Sequence, residues 1–392
     1  MTRFRDLKVF VTGGTGFIGS RLVEVLRNQL NADVTVLAHR TSPGALRLAA
    51  DGVKLDFTPI GDADGLKRAL AGVDAVFHLA YGKFGSDADM KKTTIDGTTA
   101  IVDAALAANV TSFVNVSTAA VYFGAPSGVI DETAPRRKWG WTYSDDKLAA
   151  EDVVRKAHGQ RGLRASIFQV AGVYGPWGET FVINPLTIMR RGFAVLPNHG
   201  LGVANMTYVD DVVQALILGL KDEAVGETFI IKGPGRITRL EAYRQLEAML
   251  GYPAVETAST KDIKSRLGGG NWSAMARIVP AAVAALQESK AVKDAVRASP
   301  IAGLARPLYR SLRRRGRSGI VKGSGKAFDR ATPLPRILPP PIMVDYLSAE
   351  VEFTSAKAER VLGYTPQIDL ETGMGFTREW AEWANLLGPR RT

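Results

Sequence analysis

Two short stretches hold residue types whose spacing could do chemistry. In YSDDK, Tyr143 and Lys147 stand four apart and share one face of any helix that contains them. A free phenol titrates near pH 10, poorly matched to proton exchange at neutral pH, and a nearby cation favours the phenolate. The pair therefore reads as a tuned acid/base or as two residues of a solvated helix, and the spacing alone leaves both open. In TGGTGFIG, Gly13, Gly16 and Gly19 recur every third residue directly after the apolar run KVFVT. Gly13 there permits a tight turn, Gly16 lets the backbone approach a pyrophosphate, and Gly19 lets a helix pack closely on a strand. The helix N-terminus that follows offers free N–H groups and a favourable dipole to phosphates. A glycine turn kept for packing alone needs the same residues, but strand, turn and helix in that order is the context a dinucleotide site requires.

Such residues need a frame, and the first half of the chain supplies one. Apolar strand-like runs at Lys8–Thr12, Val34–Ala38, Val73–Leu79, Ser112–Val116 and Ala165–Val170 alternate with helical segments, among them Phe17–Asn28 and a long helix near Asp87–Ala108. Strands that are apolar on both faces, separated by helices, mean a parallel sheet covered on both sides. The fold class expected is α/β, a Rossmann-type doubly wound parallel sheet with a smaller C-terminal substrate domain. We expect the Rossmann domain over residues 1–172 and the substrate domain over 173–260 and 337–392, with some elements shared. Residues 261–336 form a basic insertion between them. No internal repeat is present.

Composition narrows the chemistry. The chain has 392 residues, 46% hydrophobic and 23% charged, which is ordinary for a globular protein. It has no cysteine, so disulfides, thiolate metal sites and cysteine nucleophiles are excluded, and four histidines leave little room for a histidine-built metal site. No metal is expected. The N-terminus lacks the apolar run of a secretory signal and no window is long enough to span a membrane, so a cytoplasmic location is expected. The net charge of +11 is concentrated: Lys261–Arg336 holds 17 basic and 4 acidic residues, leaving 33 and 35 elsewhere. A near-neutral remainder does not point to nucleic acid.

Further motifs fall in register with the first two. Ile60-Gly61-Asp62, Phe77-His78-Leu79-Ala80, Val116-Ser117-Thr118-Ala119-Ala120-Val121-Tyr122, Val173-Tyr174-Gly175-Pro176, Tyr208-Val209-Asp210-Asp211 and the stretch Phe353–Met374 with Trp380 follow in order. Together with the glycine spacing they resemble the extended short-chain dehydrogenases/reductases, the NAD-dependent epimerase/dehydratase family, over residues 8 to about 255 and 350 to 383. The resemblance implies that Tyr143 is the proton donor and acceptor, that Lys147 lowers its pKa and bonds the nicotinamide ribose, and that Thr118 holds the substrate oxygen. Ser117 could share that role, though the register favours Thr118. It implies cofactor contacts from Gly13, Thr15, Gly16, Phe17, Ile18, Gly19, His39, Arg40, Asp62, Ala63, Leu79, Ala80, Tyr81, Val116, Tyr143, Lys147, Val170 and Val173, with Asp62 at the adenine. Substrate contacts are implied for Thr118, Tyr143, Tyr81, Gly172 and Trp177. Trp139, Trp141 and Trp177 are expected to flank the cleft, chiefly as packing. Asp145 and Asp146 are expected to face solvent or cap neighbours, and His78 to be a packed strand-end residue.

Some positions depart from the family pattern. The second strand is followed by Ala38-His39-Arg40, with no carboxylate for the adenosine ribose, and a basic pair suits a 2′-phosphate. NADP(H) is therefore favoured, with NAD(H) as the alternative. Asn205-Met206-Thr207 precedes Tyr208 where sugar-nucleotide members carry an arginine, Gln169 stands where arginine is common, and Gly172 where an asparagine often sits. This form is more like the steroid and lipid ketone reductases, although Lys232, Arg236 and Arg239 could still meet a diphosphate. In the insertion, Ile301, Leu304, Leu308 and Leu312 recur at helical spacing beside Arg306, Arg310, Arg313, Arg314, Arg315 and Arg317, with Pro307 as an interruption. A basic amphipathic surface of this kind fits an anionic membrane face, a solvated insertion or a subunit contact in a homodimer. The expected function is interconversion of a ketone and a secondary alcohol on a small hydrophobic or lipid-like substrate. The alternatives are a sugar-nucleotide epimerase or dehydratase and a catalytically silent NADP-binding sensor.

Overall fold

The structure, a computed structural model, describes residues 7–83, 85–122, 127–268 and 335–388. Continuous apolar runs make the first strands: β1 (Lys8–Thr12), β2 (Asp33–Leu37), β3 (Lys54–Asp56), β4 (Ala75–His78) and β5 (Ser112–Thr118). Strand β6 (Gly128–Ile130) lies apart, and β7 (Ala165–Val170) is buried along its whole length. The intervening helices are α1 (Phe17–Asn28), α2 (Pro43–Ala50), α3 (Ala63–Ala69), α4 (Asp87–Ala107) and α5 (Thr142–Arg161). Several start at the residues their sequence marks for capping. Ser42 caps α2, Asp62 caps α3, and Ser86 with Asp89 forms a reciprocal capping box on α4.

Beyond residue 172 come β8 (Gly172–Tyr174), α6 (Asn184–Arg191), β9 (Phe193–Leu196), β10 (Met206–Tyr208), α7 (Val209–Leu218), β11 (Thr228–Ile231), α8 (Arg239–Leu250), β12 (Val255–Thr257) and α9 (Thr260–Gly268). The described chain resumes with β13 (Arg336–Ile337), α10 (Pro341–Ser348), β14 (Val351–Phe353), α11 (Ala356–Leu362) and α12 (Leu370–Trp383).

Seven strands form one parallel sheet in the order β11-β7-β5-β4-β1-β2-β3. The order reverses between β1 and β4, and the crevice outside their carboxyl ends is where open α/β sheets bind ligands. Side chains alternate between the sheet's two faces. Val9, Val11, Val34, Val36, Phe77 and Val116 pack with Leu22 and Leu26 of α1 and Val212 of α7. Phe10, Val76, Phe113 and Ile167 pack with Leu66 of α3, Ile101 of α4 and Val154 of α5. Strand β11 is the seventh of the sheet although it comes from beyond residue 172. Three small parallel sheets, β12-β9-β13, β10-β8 and β14-β6, build the smaller part.

By compactness the chain divides into Met1–Ile263 with Arg336–Thr392, and Lys264–Pro335. The amphipathic pattern at Ile301–Arg317 lies outside the described residues. Among the described residues no helix is long and apolar enough to cross a membrane, and no group of His, Asp and Glu is placed to hold a metal ion.

Candidate active site

The glycine turn lies across the carboxyl end of β1. Gly13 has φ +71°, and a Cβ there would stand 2.8 Å from the Ala80 nitrogen and the Leu79 carbonyl carbon, so the turn is pressed against the exit of β4. A Cβ on Gly19 would collide with the Gly13 carbonyl oxygen, and one on Gly16 would come within 3.2 Å of it. The amide of Gly16 closes the turn on Gly13 at 3.0 Å. Helix α1 then begins with Gly16 as its cap and no side chain bonded to its first N–H groups. A bare helix start behind a side-chain-free cradle fits a pyrophosphate.

Of the other sequence-marked cofactor residues, Thr15 presses its carbonyl against Gly44 and Phe17 reaches Gly178. Ile18 is half-buried at the start of α1, and His39 and Arg40 are exposed just past β2. Asp62 is exposed and accepts from the Gly65 amide at 3.0 Å, with Ala63 beside it. Val170 is buried at the end of β7 and Val173 in the middle of β8.

A chain of hydrogen bonds fixes the β1 and β4 exits. His78 Nδ1 is 2.7 Å from Thr12 Oγ1 and its Nε2 is 2.9 Å from Thr98 Oγ1. Since Thr98 donates to the Thr94 carbonyl at 2.6 Å, His78 donates through Nε2 and accepts from Thr12 through Nδ1. Thr12 in turn accepts from the Ala80 amide at 3.2 Å. Burial, helped by the Lys147 charge, lowers the His78 pKa to about 3, so the ring is a neutral strut.

Helix α5 presents Tyr143 and Lys147. Its first turn is held by Asp145, which accepts from the amides of Trp139 (3.1 Å) and Gly140 (3.2 Å). Ser144 donates to the Ala120 carbonyl at 2.8 Å and accepts from the Trp139 indole at 3.0 Å. The Tyr143 ring stands between Tyr81 at 5.5 Å and Trp141 at 5.4 Å between centroids, and Tyr346 of α10 lies 6.3 Å beyond Trp141. Tyr346 went unmarked by sequence reasoning, because nothing local links PIMVDYLS to a site some two hundred residues upstream.

Burial pushes the Tyr143 phenol well above its ordinary value, with Tyr81 adding to the rise and a Thr118 hydrogen bond opposing it. Tyr143 is thus a neutral phenol, a proton donor. Lys147, only 5% exposed, donates to the Val116 carbonyl at 2.6 Å. Burial lowers its pKa to about 8, partly resisted by Glu151 one turn on. The Lys147 ammonium turns to the β5 backbone, and Tyr81 and Tyr346 add to the rise of the phenol while Thr118 opposes it.

Thr118 ends β5 and accepts from the Ala120 amide at 3.2 Å, whereas the neighbouring Ser117 hydroxyl is buried without a partner. Asp146, expected at the surface, is 8% exposed, and burial raises its pKa. Gln169 is committed inside the core. It is fully buried, accepting from Tyr122 at 2.8 Å and donating to Glu151 at 3.0 Å, so its identity says nothing about a diphosphate. Gly172 is buried where a Cβ would meet the Ala204 and Asn205 carbonyls at 3.2 Å. Trp177 is 48% exposed, and its ring partners are Trp380 (5.2 Å), Trp383 (6.4 Å) and the Arg47 guanidinium (5.6 Å), none of them a ring at Tyr143.

A doubly wound sheet, a glycine cradle at its switch point and a Tyr/Lys helix beside a strand-end threonine define an extended short-chain dehydrogenase/reductase. The chain belongs to the NAD dependent epimerase/dehydratase family, whose family model matches residues 9–231, and it is an enzyme of nicotinamide dinucleotide chemistry. It is 31% identical to a dTDP-glucose 4,6-dehydratase of Streptomyces niveus over 258 residues, 61% of this chain and 76% of that enzyme. It is 24% identical to 3beta-hydroxysteroid-dehydrogenase/decarboxylase isoform 2 of Arabidopsis thaliana over 386 residues, 94% of this chain and 60% of that one. The fold is similar to the crystal structure of UDP-glucuronic acid 4-epimerase from Bacillus cereus in complex with UDP-glucuronic acid and NAD. There the TM-score is 0.66, at 18% identity, over 96% of this chain and 99% of that one.

Proposed function

We propose that this enzyme interconverts a ketone and a secondary alcohol on an apolar, ring-bearing substrate, with Tyr143 exchanging the proton at the substrate oxygen. The observation that carries this reading is the aromatic surround of Tyr143: Tyr81 and Trp141 edge its ring, and Tyr346 stands behind them. A flat apolar skeleton gains most from such walls.

In the direction of reduction, Tyr143 gives its proton to the carbonyl oxygen while Thr118 holds that oxygen through its hydroxyl. The bound cofactor supplies the hydride. Gly13, Gly16 and the first turn of α1 would hold its pyrophosphate, and Lys147, bonded to the Val116 carbonyl at 2.6 Å, would meet the nicotinamide ribose. The intact set of Thr118, Tyr143 and Lys147 argues against a silent sensor.

NADP(H) is our choice of cofactor, supported by exposed His39 and Arg40 immediately past β2, with no carboxylate beside them in sequence. Asp56, across from Leu37 on the next strand, has one oxygen engaged with the Thr58 amide at 2.7 Å. The alignment with the steroid enzyme over 94% of the chain also supports an apolar substrate, as does the excess of positive charge in 261–336, which suits contact with an anionic membrane surface.

The second reading, a sugar-nucleotide dehydratase or epimerase, is favoured by the higher identity to the Streptomyces niveus dehydratase. A dehydratase must also take a proton from carbon and give one to a leaving hydroxyl. The side chains of Thr118, Ala119 and Ala120, at the end of the strand beside Tyr143 and directly after it, include no carboxylate for that work. Absorbance of the nicotinamide, followed with apolar ketones and with dTDP- and UDP-sugars, separates the two. Net cofactor oxidation with an apolar ketone is expected, and sugar turnover without net oxidation would overturn the proposal.

A further inference from the structure

Among the described residues, the buried lysines have hydrogen-bonded partners, Lys147 the Val116 carbonyl and Lys232 the Glu352 carboxylate, and one buried arginine has none. Lys232 and Arg236 share Glu352, at 2.9 and 3.6 Å, and Arg136 and Arg155 share the wholly buried Glu151, at 2.9 and 3.6 Å. Arg239 is more buried than most of these, at 4% exposed, yet its guanidinium has no hydrogen bond or ion pair among the described residues, and its Nε is an orphan. The Tyr346 ring lies 4.4 Å beneath it. The nearest acid in sequence, Glu241, is committed to the cap of α8, where it accepts from the Thr238 amide and hydroxyl. The backbone of Arg239 is fixed, its amide donating to the Gly202 carbonyl at 2.7 Å.

A guanidinium seated this deeply, with its Nε out of water and unbonded, is costly because it cannot shed its proton. A fold that retains one beside its cleft has left a positive charge to be met by something it binds. The place is specific. Tyr346 carries Arg239 on one side and meets Trp141, which meets Tyr143, so the charge lies along the same wall of rings as the acid/base. The Tyr243 phenol lies within the electrostatic reach of both Arg239 and Tyr346.

We infer that Arg239, seated on Tyr346, recognises an oxyanion on the substrate, a carboxylate or a phosphate, at the end of the cleft remote from the reacting carbon. This rests on the reading that the ring-lined cleft beside Tyr143 holds substrate. The planar fork of a guanidinium suits two oxygens of one such group, and a lysine would serve it less well. The substrate is then amphipathic: a reacting carbinol or carbonyl and an apolar body against the rings, with a single acidic group on Arg239. The same chemistry could belong to a steroid-like carboxylic acid or to the phosphate of a nucleotide sugar.

Calorimetric titration of the whole protein needs no turnover and therefore reads separately from the Tyr143 assignment. The probes are cholate, its uncharged methyl ester and uridine diphosphate. The wild type is expected to bind cholate about ten- to hundredfold more tightly than the ester, the range of one charge-assisted contact. Arg239→Met should bind acid and ester alike, and Arg239→Lys should keep part of the preference. Arg239→Met should also melt at or above the wild-type temperature, because it removes an uncompensated charge. Arg239-dependent binding of uridine diphosphate without cholate would uphold the anion site while overturning the apolar-substrate reading. The inference fails if neither anion binds the wild type. It fails equally if the wild type takes cholate and ester alike without Arg239-dependent uridine diphosphate binding, or if Arg239→Met keeps the wild-type preference and melts lower, as a packing role requires.

Discussion

The state of Lys147 can be read from stability alone. Its ammonium, buried beneath Tyr143, titrates near 8 in the folded chain against 10.5 when unfolded. Between those values the unfolded chain binds the proton and the folded chain does not, so this residue makes stability rise with pH across that window. Below pH 8 both states are protonated, and the folded protein bears the full cost of the buried charge. A shift of this size at about 1.4 kcal/mol per unit corresponds to roughly 3 kcal/mol. Lys147→Met keeps the stem's volume and removes the charge. It also removes the bond to the Val116 carbonyl, charge-assisted below pH 8 and worth about 1.5 kcal/mol there. At pH 7 the variant should therefore be more stable by about 1.5 kcal/mol, and by pH 10.5 it should have lost that advantage. Urea unfolding of both proteins at pH 7, 8, 9 and 10 measures the difference, in which the tyrosines that titrate at high pH cancel. Parallel stability curves would show that Lys147 is not charged and desolvated in the folded state.

Three further outcomes follow from the site. Tyr143→Phe should lose turnover by at least a thousandfold while binding cofactor nearly as the wild type does, because only the proton is lost; single-turnover kinetics beside a cofactor titration checks both. NADPH should bind at least tenfold more tightly than NADH, and Arg40→Ala should remove most of that difference, since one charge-assisted contact to a 2′-phosphate is worth about 1.5–3 kcal/mol; equal affinities in the wild type would refute the choice. The charge of residues 261–336 should carry the protein onto vesicles containing anionic lipid at low salt, and replacing Arg310, Arg313, Arg314 and Arg315 by Gln should release it; wild-type protein left in the supernatant would remove the membrane from the proposal.

What could be read from the sequence was local or strictly periodic. The runs KVFVT and ASIFQV put apolar side chains on consecutive positions, as a strand covered on both faces does, and both are strands with the expected bounds. The glycine turn and the Tyr143/Lys147 pair are short-range spacings and fall at the switch point. Strand β3, three residues at the sheet edge with charged ends, carries no such pattern and was missed. The position of Gln169 depends on which face of β7 it occupies, and a continuously apolar strand gives no alternation from which to tell. Tyr346 and the isolation of Arg239 arise from contacts between segments far apart in sequence, where spacing carries no information.

Helix α5 carries both Tyr143 and Lys147. Its buried face changes character along its length: Ser144, Asp146, Lys147 and Glu151 come first, then Val154 and Ala157. The apolar end packs into the core beside α4, which leaves the polar end to be justified by specific bonds. Those bonds run to the segment that carries Thr118. Ser144 donates to the carbonyl of Ala120, whose own amide donates to Thr118. Glu151 accepts from Gln169, which accepts from Tyr122, four residues past Thr118. The tyrosine and the threonine are therefore held to one another twice, once beside the reacting groups and once beneath them. A buried carboxylate with two arginines and an amide around it is a costly way to fill a core. Here it holds two hydroxyls from different elements at a fixed separation, which an apolar core of the same volume, free to shift by a rotamer, would not do.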